Sequence, residues 1–187
     1  MKKIVSVIVL LALAAFHGAA SSPDGDGKNS FAKIYDKYKQ APNVSAVYIS
    51  ESLLSLASEL DGFVDFSDVD INGTDITTLI AIGKLKGLYI VSSDWSQPAC
   101  DLNADMEKYI SGGGRHYEEL LRVSQSNENV VFYYWSPDGV NVGEFLMISK
   151  STYPSGKVSV ISVIDFEAES LKLSDLIKIT LDIAKEN

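Results

Sequence analysis

Cysteine and histidine are nearly absent from this 187-residue chain: there is one Cys, Cys100, and of the two His only His116 lies beyond the first twenty residues. A single cysteine closes no internal disulfide and reads most simply as a small buried hydrophobe. One residue of each type is too few for a His/Cys zinc site. A Ser–His–acid triad or a Cys–His pair would have to use His116, and Cys100 lacks a recognisable nucleophile context. Basic residues are scarce as well, 16 Lys and Arg against 25 Asp and Glu, for a net charge of −9. Such a surface repels phosphate backbones and anionic lipid, which argues against nucleic-acid and membrane-surface partners. Long apolar runs are missing after the first twenty residues, so no membrane span is expected in the mature chain. With 46% apolar and 22% charged residues, the rest suits one soluble domain with a proper core.

Met1-Lys2-Lys3 is a short basic start to the apolar run Ile4–Phe16, which is shorter than the roughly 20 residues of a spanning helix. Gly18 and Ala20 are the small residues a signal peptidase reads, so residues 1–20 are expected to be a cleaved signal peptide. The product is then expected to be periplasmic or secreted and, with no cysteine near the cut, not lipid-anchored. Residues 21–29 are turn and linker types and read as a flexible tether. Residues 30–187 read as one α+β domain. Its first helix is capped by Ser30 and carries Phe31, Ile34, Tyr35 and Tyr38 on one stripe. Strands are predicted over Val44–Ile49, Leu88–Ser93, Val130–Ser136, Glu144–Lys150 and Val158–Asp165. Helices are predicted after Ser50, through Ile76–Gly83, over Ala104–Ser111 and Arg115–Ser124, and after Ser174, with a loop over 94–103. The last stripe is Leu176, Ile177, Leu181 and Ala184. The sum is a mixed sheet of about five strands, ending in an antiparallel three-stranded meander and packed by helices.

Three motifs invite chemistry. Asp68-Val69-Asp70-Ile71-Asn72-Gly73 matches the first half of a calcium loop, but the twelfth position, a bidentate glutamate in such loops, is Leu79. An acidic loop leading into a helix is the expectation. Gly112-Gly113-Gly114-Arg115-His116 has the glycines and the charge of an anion site, yet no strand is predicted before it and its spacing fits no phosphate fingerprint. It reads as a glycine break between two helical pieces, with His116 solvated. Val130–Trp135 carries large groups on both faces, so either Phe132 and Tyr134 or Tyr133 and Trp135 face a partner, or the strand is covered on both sides, which is the expected case. Glu118 and Glu119 read as solvated surface. The sequons at Asn43 and Asn72 carry no functional reading.

Several short segments taken in order resemble a known family. Val47–Leu56, Leu88–Ser93, Tyr117–Leu121, Asn129–Tyr133 and Glu144–Ser149 are similar to successive motifs of the domain of unknown function 4252 family. The resemblance covers roughly residues 30–185. It implies a small exported protein of Bacteroidota, from a family some of whose members sit beside envelope-stress sigma-factor genes. It implies no catalytic, cofactor-binding or metal-binding residue, and none is assigned. The expectation is a non-catalytic domain that needs no cofactor and binds a protein or small ligand in the envelope, linked to a stress response. The alternative is a carboxylate-dependent periplasmic hydrolase, which two facing carboxylates, one of them poorly solvated, would favour.

Overall fold

The computed structural model describes residues 31–54, 70–71, 74–75, 85–112, 114–153, 156–166, 169 and 171–178, with backbone only at 70–71, 74–75, 125, 153 and 156–163. The expected leader, tether and Ile76–Gly83 helix lie outside these residues, as do Ser30, Leu181 and Ala184. Helix α1 (Ala32–Tyr38) starts after Phe31, which makes no side-chain cap. Strand β1 (Ser45–Ser50) leads into a helical turn over 51–54, where the Leu53 N–H donates to Ser50 Oγ at 3.4 Å. Strands β2 (Asp70–Ile71) and β3 (Thr74–Asp75) form a small antiparallel hairpin. Then come β4 (Leu85–Ser93), helix α2 (Ser96–Gly112), β5 (Tyr117–Gln125), β6 (Glu128–Trp135), β7 (Glu144–Tyr153) and β8 (Gly156–Phe166).

Six strands make one sheet in the order β1-β4-β8-β7-β6-β5, and every neighbouring pair is antiparallel. The sheet is therefore not mixed, and it has one strand more than the sequence pattern predicts. The reason is the route of the chain. After β4 it crosses the sheet through α2 to the far edge, and consecutive hairpins carry it back until β8 meets β4 head to tail.

Two segments change type. Residues 94–103 are mostly the first half of α2, whose stripe is Ala99, Leu102, Met106 and Tyr109. Pro98 is accommodated because a first-turn N–H has no intrahelical acceptor to lose. Arg115–Ser124 is not a helix: from Tyr117 it is edge strand β5, with a bulge between Glu119 and Leu121.

Both faces of the sheet are covered. On one, α1 and α2 bury Phe31, Tyr89, Val91, Leu102, Met106 and Leu146. On the other, Leu54, Leu171 and Leu176 close over Ile49, Ile90, Phe132 and Phe145. Leu176 is fully buried, whereas Ile177, expected on the same stripe, is exposed. Among the described residues no helix is long and apolar enough to cross a membrane.

Candidate functional site

Antiparallel register sets one row of side chains across the sheet. Asp165 of β8 pairs with Glu144 of β7, Glu144 with Trp135 of β6, and Trp135 with Tyr117 of β5. Directly opposed residues share a face, so these four project toward α2. Helix α2 adds Tyr109 from its last turn, and the link to β5 adds Arg115.

Glu144 is the only acid among the described residues that is buried outright, at 1% exposure. Its Oε1 accepts hydrogen bonds from the hydroxyls of Tyr109 (2.8 Å) and Tyr117 (2.7 Å). Its Oε2 accepts from Arg115 Nη1 at 2.6 Å and lies 3.0 Å from the Tyr109 hydroxyl. The Arg115 guanidinium lies over the Trp135 ring, 4.4 Å from its centroid. That ring occupies the space beside Gly143, where a Cβ would stand 2.5 Å from Trp135 Cζ3. Asp165, half-buried, shares a hydrogen bond with Glu144.

Burial, reinforced by the charge of Asp165, pushes the Glu144 carboxyl up to about 8, against the pull of Tyr117 and Arg115. Burial raises Asp165 too, while its hydrogen bond with Glu144 and the charges of Arg115 and Lys86 oppose the rise. Desolvation and the Glu144 charge raise Tyr109 and Tyr117 above the ordinary phenol range, so both stay protonated donors. Burial works against the charge on Arg115, but Tyr117 and Glu144 outweigh it and the guanidinium is held charged. Two coupled carboxyls titrate as a pair. Their last proton is shared across the Glu144–Asp165 hydrogen bond, beside the three side chains that donate to Glu144.

Facing carboxylates with raised pKa values are the raw material of acid–base catalysis. Here the acceptors of Glu144 are taken by internal donors and the group is sealed. The cluster ties the end of α2, the following link, β5, β7 and β8 together.

The residues singled out in the sequence lie elsewhere. His116 is exposed, and Arg115 is committed to Glu144 rather than presented to an anion. Cys100 is half-buried in α2. Glu118 accepts from the Tyr134 hydroxyl at 2.7 Å, while Glu119 forms an exposed ion pair with Arg122 at 2.5 Å. Phe132 and Tyr134 are buried and Tyr133 and Trp135 half-buried, so the aromatic strand is covered on both sides. In the calcium-like hexapeptide, Asp70–Ile71 pairs antiparallel with Thr74–Asp75, and the helix expected to follow lies outside the described residues. Asp68 and Leu79 lie outside the described residues. Among the described residues, no three His, Cys, Asp or Glu are grouped to hold a metal.

Sequence reasoning missed Glu144 and Asp165. Their only signal is an acid at the first position of one apolar strand and near the end of the next, which become partners once the hairpin register is known.

A second feature is a groove of about 590 Å³ between α2 and the β5–β6 turn. Asn103, Ser126, Asn127, Glu128, Asn129 and Lys150 line it. Lys150 reaches Glu107 at 3.3 Å and Glu128 accepts from Ser149 at 3.1 Å.

Comparison with known proteins gives one family match. The model of the family described as "Domain of unknown function (DUF4252)" matches residues 38–176. No curated protein matches the chain. Among solved structures, the Ran-binding protein Mog1p of Saccharomyces cerevisiae aligns over 54% of this chain and 66% of its own, at 12% identity and a TM-score of 0.31.

Proposed function

The chain belongs to the DUF4252 family, whose description assigns no reaction, and from that premise we infer that it is an exported, non-catalytic domain that binds a protein or small ligand in the bacterial envelope, as part of a stress response. The observation that carries the reading is the closure of the Glu144 cluster. A general acid or base must come within hydrogen-bond reach of its substrate, and Glu144 is 1% exposed with Tyr109, Tyr117 and Arg115 on its oxygens. The groove beside α2 supports the binding half of the reading. Its amides and hydroxyls, two Glu and one Lys suit hydrogen bonding to a polar ligand or a peptide backbone better than to an apolar one.

The second reading, a carboxylate-dependent hydrolase, is favoured by the facing pair Glu144 and Asp165. Chromogenic nitrophenyl esters, glycosides and phosphates separate the two. Turnover no faster than buffer supports the binding domain. Turnover that vanishes in Glu144→Gln establishes the hydrolase. Export is tested by intact mass of the protein recovered from its native host. A chain beginning at Ser21 in the envelope or medium supports it, and full-length chain in the cytosol overturns it.

A further inference from the structure

The Glu144 cluster is neutral at only one level of protonation. Arg115 cancels one carboxylate charge, and Glu144 and Asp165 must then hold one proton between them. The other neighbours do little to change the balance. From β4, Lys86 is exposed and attracts Asp165 from solvent, while Tyr89 presents a phenol that stays protonated. From β1, Tyr48 does the same, its ring stacked on Tyr89 at 4.6 Å. On α1, Tyr35 meets Tyr89 at 5.5 Å and Asp36 adds a negative charge to Tyr89's surroundings. Tyr109 from α2 and Tyr117 from β5 are neutral donors, and Trp135 from β6 is uncharged. Loss of that shared proton therefore leaves a second, uncompensated negative charge in the sealed cluster, which a low-dielectric interior penalises strongly.

The weak point is Arg115. It is the most exposed member in contact with Glu144, with 27% of its side chain accessible. It follows Gly114, whose φ of +73° is a conformation glycine adopts freely. Relief of the buried charge is easiest by admitting water there.

We propose that Asp165, Glu144 and Arg115 form a proton-linked latch: one proton shared by the two carboxyls keeps Arg115 and the start of β5 closed on the sheet, and its loss releases them. The latch goes beyond the binding role and does not depend on whether the groove takes a ligand. It is closed in weakly acidic surroundings and opens as they become alkaline.

Trp135 reports the latch directly in a Trp95→Phe background, because Trp95 is then gone and Arg115 stacks on the remaining indole. Between about pH 6 and about pH 9.5, its emission is expected to shift to the red in one step, with faster hydrogen exchange at the Arg115 and Tyr117 amides than pH alone produces. Asp165→Asn keeps a donor toward Glu144 and leaves no proton shared between two carboxyls, so the step should vanish. A step that persists unchanged in Asp165→Asn overturns the latch, as does a flat emission profile in the Trp95→Phe parent. Should Asp165→Asn not fold, infrared spectra of the wild-type chain decide. Loss of one carboxylic-acid carbonyl band in step with the emission change supports the proposal. Absence of that band, or its loss with no change at Trp135, refutes it.

Discussion

At Gly143 the place of a side chain is taken by an indole. A methyl group there would stand 2.5 Å from Trp135 Cζ3 and 2.7 Å from Cε3, and the ring supports Arg115 on its face. Gly143→Ala is expected to displace Trp135 and cost about 1–3 kcal/mol, read as a lower denaturation midpoint with altered Trp135 emission. An unchanged midpoint would mean that the ring swings aside freely. What was legible at this scale was local. The Pro137-Asp138-Gly139 turn announced itself, and Asp138 Oδ1 accepts the N–H groups of Val140 and Asn141 at 2.8 and 2.7 Å. Glu144 was not legible, because its partners come from residues 109, 115, 117 and 165, and no window of sequence contains them.

Among the elements, β5 shows why a pattern can mislead. Tyr117, Leu120, Leu121 and Ser124 fall at helical spacing, and Leu120-Leu121 breaks the alternation expected of a strand. The bulge between Glu119 and Leu121 resolves this: an extra residue in a strand disrupts its alternation, so neighbouring leucines can turn toward one core. Both are indeed partly buried against the cluster around Phe132 and Phe145. The last helix, by contrast, was placed correctly but rotated. Over 173–178 Leu176 has no exposure and Ile177 has 39%. Leu176→Ala is accordingly expected to cost about 2–5 kcal/mol, from lost burial plus a cavity, and Ile177→Ala well under that. Urea titrations of the two variants compare them directly, and equal losses would refute the assigned rotation.

For the molecule as a whole, stability should peak in mild acid. Asp138 is held down to about 2 by the backbone N–H groups of Asn141 and Val140, so its contribution is complete above the ordinary value of 3.8 and fades as pH falls through about 2. Glu144 is raised to about 8, so its contribution is complete below 4.5 and fades as pH rises through about 8. The net charge of −9 at pH 7 adds self-repulsion that shrinks toward the sequence pI of about 4.6. All three place the maximum melting temperature near pH 4–5, with a fall of roughly 5–10 °C by pH 9 measurable by calorimetry. A maximum above pH 7 would contradict the upward shift at Glu144. The α+β class and five of the six strands of the main sheet were readable from apolar runs and turn residues. The antiparallel sense of the whole sheet was not, since it depends on where α2 delivers the chain.

The strand order also has a consequence in time. From β5 to β8 each strand pairs with the next in sequence, whereas β4 waits for β8 across the intervening chain. Short loops close at less entropic cost than long ones and local pairings form faster. The four-stranded meander is therefore expected to organise first, bringing Glu144 against Asp165 before β4 docks. In chevron experiments, Ile148→Val in β7 should mainly slow folding, with a φ-value above about 0.5, while Val91→Ala in β4 should mainly speed unfolding, with one below about 0.3. The reverse ranking would mean that β4 and β8 meet at the start, and that the meander is completed around them.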